Sequence, residues 1–168
     1  MANSVDPGSP SLAPKRAADS DTEMVEVVLP NDANPLGFIL GGRVMHLIDI
    51  AGAIASFRHA RSRVVTAAVD DLVFLHPIKV GDLIVLKATV TCTFRTSLEV
   101  RVDVFSEEAL TGARQRTSRA FLTFVTVDEA GGRVEVPPLL VETPEQEKVC
   151  ADARARRDLR LKRRADTV

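Results

Sequence analysis

The segment RVMHLIDIAGAIASFRHA, residues 43–60, is apolar nearly all round. Val44, Met45, Leu47, Ile48, Ile50, Ala51, Ala53, Ile54, Ala55 and Phe57 leave few polar positions. A belt this wide means a helix surrounded on most sides. Its polar members Arg43, His46, Asp49 and Ser56 fall on one narrow line at helical spacing. Upstream, Met24–Leu29 (MVEVVL) reads as a strand, and PNDANPLGFILGG (30–42), with two Pro and three Gly, as a loop. Downstream the texture is β. VVTAAVDDLVFL (64–75) is rich in β-branched residues, HPIKVGD makes a loop, and LIVLKATVTCTF (83–94) is a long strand. Arg95-Thr96-Ser97 marks a turn or bulge, LEVRVDVF (98–105) alternates with period two, and RQRTSRAFLTFVTV (114–127) is a further long strand ended by DEAGGR. A strand, a buried helix and at least four antiparallel strands predict an α+β fold: one curved antiparallel sheet wrapped around a central helix.

The ends read differently. Residues 1–21, rich in Pro, Ser, Ala and Asp, are expected to be a disordered tail, because they bury too little apolar surface to offset chain entropy. One domain is expected over 22–142, since 168 residues suffice for one domain and are short for two. A basic helix is expected over 143–168, with Thr143 as N-cap, Pro144 at the first helical position and Gln146 at the capping-box position. Its arginines suit either an anion or a solvated helix packed on an oligomer partner. The second is preferred, since no aromatic is interleaved to stack bases.

Composition narrows the function. Apolar residues make up 45% and charged residues 27%, so a sizeable core is available, built from aliphatics and seven Phe because Trp and Tyr are absent. A net charge of -1 gives no hint of a polyanionic partner, and no nucleic acid is expected. Cys92 and Cys150 form no CxxC pair. Two free thiols in a reducing compartment are the simpler reading, and a disulfide between them the other. The N-terminus has no secretory core, and the longest apolar run, Val44–Phe57, is too short to span a bilayer. A cytoplasmic protein without stable membrane association is expected.

Asp49 carries the chemistry. It lies in the most apolar segment, where an isolated carboxylate is costly and Leu or Ala would pack better. It is either structural, bonded to nearby backbone or to His46, or functional, and the functional reading is preferred. Gly41-Gly42 opens the same helix, where unpaired amides favour negative charge, so the Gly42 amide suits a thioester oxyanion as well as an ordinary turn. Seven residues put Gly42 and Asp49 on nearly one helix face but about 10 Å apart along the axis. Both cannot touch one carbonyl group. If both act, Asp49 of one subunit works with Gly42 of another across a two-fold axis. Asn34 is either a donor to a water or carbonyl, or a turn residue before Pro35.

These residues, with VVTAAVDDLVFLHPIKVGD, TFRTSLEVRVDVF, RTSRAFLTFVTVD and VPPLLVETPEQEK, resemble the hotdog-fold acyl-CoA thioesterases, of the mammalian cytosolic acyl-CoA hydrolase type and its short bacterial relatives. The resemblance spans residues 23–164. It implies hydrolysis of acyl-CoA to free acid and CoA, and assembly from hotdog dimers as homo-oligomers, often trimers of dimers (hexamers). It implies Asp49 as base or nucleophile and Asn34 as the loop residue. Two-domain relatives divide the active Asn and Asp between domains; here one domain carries both, so each dimer should hold two equivalent sites. Leu40 stands where some relatives carry His, so no side-chain role is expected there. The resemblance also implies the Arg95-Thr96-Ser97 turn as part of the CoA site, and Arg116, opening the last long strand, is a further basic candidate. CoA is part of the substrate. No cofactor or metal is expected, because a thioester is already electrophilic and the three His lack metal-ligand spacing. Phe57, Leu72 and Phe74 are candidate pocket walls.

Two other functions compete. Hotdog hydratases pair an Asp with a His five residues on, whereas Asp32 is followed there by Gly37 and Asp49 by Ile54, which disfavours hydration. A non-catalytic acyl-CoA sensor would keep the pocket but need no buried Asp.

Overall fold

The computed structural model describes residues 12–167. In chain order the elements are β1 (Lys15–Arg16), β2 (Thr22–Val27), α1 (Gly41–Ala60), β3 (Arg63–Phe74), β4 (Leu83–Thr93), β5 (Ser97–Glu107), β6 (Arg114–Val127), β7 (Leu139–Leu140) and α2 (Pro144–Thr167). β2 to β6 form one antiparallel sheet in the order β2-β4-β5-β6-β3, so β2 and β3 are its edges.

The inner face of the sheet packs on α1. Alternation along β5 and β6 turns Leu98, Val100, Val102 and Val104, then Ala120, Leu122 and Phe124, toward Val44, Leu47, Ile48, Ala51 and Ala55, and all are buried. Each large aliphatic so buried contributes about 1.5–3 kcal/mol. Gly52 sets the spacing: a Cβ there would stand 2.9 Å from the Phe124 ring. Helix and sheet therefore approach more closely than any side chain at that position permits.

The wrapping is incomplete. Met45 and Phe57 on α1 are about half exposed, as is Val69 on the α1 side of β3. α1 is thus enclosed by the sheet on one side and left open along another. The polar residues of α1 do not share one line either. Arg43 turns to Glu26 (2.9 Å) and Asp32 (3.2 Å), and Ser56 is buried with its hydroxyl donating to the Gly52 carbonyl at 2.8 Å.

The expected tail ends earlier than residue 21. β1 pairs in parallel with β7, Ala17 and Ser20 are buried, and the Lys15 ammonium donates to the His59 carbonyl at 2.7 Å. Composition averaged over 21 residues hides the short KRAADS piece, which closes the C-terminal end of α1. Residues 1–11 of that stretch lie outside the described residues. His59 is fully buried beneath it. Its Nε2–H donates to the Pro137 carbonyl at 2.8 Å, and Nδ1 finds no partner among the described residues. Burial pushes the imidazole pKa down, Lys15 adds to this, and the Pro137 bond and Asp19 oppose it.

α2 starts as its capping residues direct. The Gln146 amide donates to Thr143 Oγ1 at 3.2 Å, and Gln146 Oε1 accepts from the Glu142 amide at 2.7 Å. The helix docks on the outer face of its own sheet. Arg156 donates to both oxygens of Glu99 (3.0 and 2.8 Å), which also accepts from Thr91 (2.7 Å). The Arg156 guanidinium stacks 3.7 Å over the Phe121 ring, and Arg160 bonds Asp70 at 2.6 Å. Burial works against the Arg156 charge, yet the Glu99 bond and charge outweigh it and raise the pKa. Docking also corrects the reading of two free thiols: Cys92 on β4 and Cys150 on α2 form a disulfide, their Cα atoms 4.7 Å apart. Sequence separation concealed a pairing that only the docked helix creates.

Candidate functional site

α1 begins without a side-chain cap on Leu40. The Arg43 and Val44 amides donate to the Leu40 carbonyl, and the Gly41 and Gly42 amides carry no hydrogen bond among the described residues. Those two donors sit at the positive end of a 20-residue helix. The loop before them is held by the Arg43 ion pairs and by Asn34. Asn34 Oδ1 accepts from the Leu36 amide (3.0 Å) and the Phe38 amide (3.2 Å). The structure shows the turn reading of Asn34. Its carbonyl end builds the turn, and its NH2 end remains a donor.

Asn34 and Gly41 line a cavity of 310 Å³ with Phe74, His76 and Ser118. Asp49 and Gly42 line a second, of 340 Å³, with His46, Thr66, Val69 and Leu72. In one chain the Asn and the Asp therefore open into different cavities. Of the expected walls, Leu72 belongs to the Asp49 cavity, Phe74 to the Asn34 cavity, and Phe57 to a hollow at the C-terminal end of α1.

Asp49 Oδ1 accepts from the Thr66 hydroxyl at 2.6 Å, so its partner is Thr66 and not His46. A bulge brings this about. β3 shifts register between Thr66 and Ala68, so Thr66 (opposite Phe124) and Val69 (opposite Leu122) both face α1. Residue alternation alone would send them to opposite faces. Thr66 lies within VVTA yet does not stand out as a site residue in the sequence, because a bulge leaves no mark there. The short, charge-assisted bond fixes one carboxylate oxygen, and the other accepts no hydrogen bond among the described residues.

The two sets of basic candidates are not brought together. Arg95 is exposed on the β4–β5 turn, where Ser97 pairs with Val125. The Arg95 and Thr96 carbonyls are occupied by the Val136 and Thr126 amides. Arg116 is exposed near the opposite end of β6, nine residues from Val125, or about 30 Å at ~3.3 Å per residue. Among the described residues no cluster of His, Cys, Asp or Glu is able to hold a metal, and no helix is long and apolar enough to cross a membrane.

Comparison with known proteins identifies the family. A family model described as thioesterase superfamily matches residues 36–113. YkhA of Bacillus subtilis, described as an uncharacterized acyl-CoA thioester hydrolase, is 40% identical over 119 residues, covering 71% of this chain and 69% of that protein. The crystal structure of an apo-hexameric acyl-CoA thioesterase superposes with a TM-score of 0.86 at 42% identity, covering 92% of this chain and 99% of the other. An acyl-CoA hydrolase of Staphylococcus aureus, solved with butyryl-CoA, CoA and CoA disulfide, gives 0.83 at 31% identity, covering 91% and 93%. That enzyme has also been solved as three variants in which an Asn, an Asp and a Thr are each replaced by Ala. Those positions are 15 and 17 residues apart, the separations of Asn34, Asp49 and Thr66 here. With this fold and these relatives, the chain belongs to the thioesterase superfamily, among its hotdog-fold acyl-CoA thioester hydrolases.

Proposed function

We propose that the protein hydrolyses acyl-CoA to free acid and CoA, with Asp49 as general base or nucleophile. The observation that carries this is the 2.6 Å Thr66–Asp49 hydrogen bond on the side of α1 that the chain's own sheet leaves open. A carboxylate held by one oxygen presents the other in a fixed direction. It either deprotonates a water or attacks the thioester carbonyl directly. Thr66 donates its proton to Asp49, so its lone pairs are free to orient that water.

The oxyanion needs donors about 3 Å away, and Asp49 lies about 10 Å along the helix from Gly42. A second copy resolves this. Two chains related by a two-fold axis, with their open α1 sides together, set the Asn34 NH2 and Gly42 amide of one against Asp49 of the other. Each dimer then holds two equivalent sites. Three such dimers form the hexamer, as the hexameric relative supports. The Arg95-Thr96-Ser97 turn supplies donors to the CoA phosphates. Arg116 serves the same nucleotide only from another copy. The reaction needs no metal or cofactor, because thiolate is already a good leaving group.

The test is thiol release from acyl-CoAs of increasing chain length by wild type and Asp49→Ala, with oligomeric mass checked for both. Turnover by wild type and a loss of roughly hundredfold or more in the assembled variant is expected. Binding without turnover, or full activity in the variant, would overturn the assignment and favour an acyl-CoA sensor.

A further inference from the structure

The strand that carries Thr66 is weakly held by the sheet itself. β3 is an edge, so β6 alone pairs with it within the chain. β2, the other edge, runs along β4 without a break, whereas β3 slips register twice, between Thr66 and Ala68 and between Asp70 and Val73. Only Ala68, Val69 and Asp70 pair in unbroken register between the two slips, with Thr123, Leu122 and Phe121. Asp71, at the second slip, has a φ of 56°, a left-handed conformation that L side chains rarely adopt. Backbone of this kind persists only where its surroundings hold it.

α2 supplies the hold. Asp70 stands opposite Phe121 on the outer face, where Arg160 donates to its Oδ2 at 2.6 Å. The Asp70 and Arg160 side chains are only 18% and 23% exposed, so solvent screens the pair weakly. About one turn earlier on α2, Arg156 stacks on Phe121 and feels the charge of Asp71. α2 is itself fixed to β4 by the Cys92–Cys150 bond and to β5 by the Glu99 clasp. The helix thus reaches across the outer face from β4 to the short registered piece of β3. Beneath that piece, Thr66 and Val69 face α1 and line the Asp49 cavity.

We infer that the Arg160–Asp70 pair positions Thr66 against Asp49, so that α2 sets the rate from the far face of the sheet. The inference rests on the thioesterase reading above. Arg160 and Asp70 do not line the Asp49 cavity and act as positioning residues, through the backbone of residues 66–70. The ion pair pins Asp70, and the paired residues Val69 and Ala68 carry that restraint to the slip where Thr66 stands. Without the pin this piece of edge strand shifts, and the 2.6 Å bond from Thr66 to Asp49 loses its geometry. A carboxylate aimed wrongly costs rate more than substrate binding.

The experiment measures kcat and KM for the acyl-CoA turned over fastest in the chain-length series. It uses the full chain as wild type, Asp70→Asn, Arg160→Met and Arg160→Lys, each also made in a Thr66→Ala background. Amide hydrogen exchange over residues 66–74 and Tm are recorded for all. Asp70→Asn and Arg160→Met are expected to lower kcat by roughly threefold to tenfold, with KM unchanged and faster exchange over 66–70. Arg160→Lys keeps one donor and recovers part of that loss. In the Thr66→Ala background the same replacements cost no further rate, because the bond they act through is already gone. A rate loss that persists without Thr66, a change confined to KM, or a lower Tm with kcat unaltered overturns the inference. Exchange over 66–70 that is indifferent to residues 70 and 160 overturns it as well, and leaves the thioesterase reading standing. No thiol release from any acyl-CoA by wild type overturns the thioesterase reading and this inference with it.

Discussion

The two faces of the sheet are finished in opposite ways. The outer face is closed by its own chain: α2 lies across it, Glu99 holds Arg156 and Thr91, Asp70 holds Arg160, and the Cys92–Cys150 bond ties helix to strand. The inner face holds the large apolar core, yet α1 keeps an open side where Asp49 and Thr66 meet and where Met45 and Val69 stay exposed. Saturated polar contacts belong to the structural face. Unfinished surface belongs to the face that does chemistry, because a site shared between copies must be left incomplete in each.

Breaking the outer clasp should give the largest stability change. Glu99 is 2% exposed, so Glu99→Ala leaves Arg156 charged and unpaired against Phe121. A loss of about 3 kcal/mol or more in unfolding free energy is expected by denaturant titration. The paired replacement Glu99→Leu with Arg156→Met should recover most of it; if the single and double variants are equally unstable, the clasp is not what holds α2. A middle-sized effect belongs to the inner face. Thr66→Ala removes one charge-assisted bond and should lower kcat roughly tenfold, about 1.4 kcal/mol, with little change in stability. An unchanged kcat would mean that Asp49 needs no holding.

The smallest effect concerns acid stability at the C-terminal end of α1. His59 in the folded chain binds its proton less readily than in the unfolded chain. Its contribution is complete above about pH 6.5 and is lost as pH falls through the lower folded value. Tm should therefore decline between pH 7 and pH 5, and His59→Gln should flatten that part of the profile. A parallel decline in both proteins would assign the acid sensitivity elsewhere.

Much of this contrast is legible in the sequence. The apolar stretch at 43–60 becomes α1 at Gly41–Ala60, and the strand expected at 114–127 is β6 at both ends, because periodicity and β-branching act locally. Asp49 stands out because a carboxylate interrupts a run of Ile and Ala, although in the single chain it is only partly buried, on the open side of α1. What stays hidden depends on contacts distant in sequence. The bulge that turns Thr66 onto Asp49 depends on β6, the burial of Ala17 and Ser20 on β7 and the end of α1, and the docking of α2 on the far side of the sheet. The open side of α1 is hidden for another reason. Residues that bury against a second copy have the same composition as residues that bury within one.

The Cys92–Cys150 bond acts on the unfolded chain as well as the folded one. It joins points 58 residues apart, so the stretch carrying β5, β6 and Glu99 remains a closed loop when the fold is lost. Chain-entropy arguments assign such a loop about 4 kcal/mol of stabilisation. α1 and the first three strands lie wholly outside it. In a reducing compartment the loop opens and the two halves of the chain become equally free. The relative cost of ordering the structural half and the catalytic half is thereby set by the thiol chemistry of the surroundings.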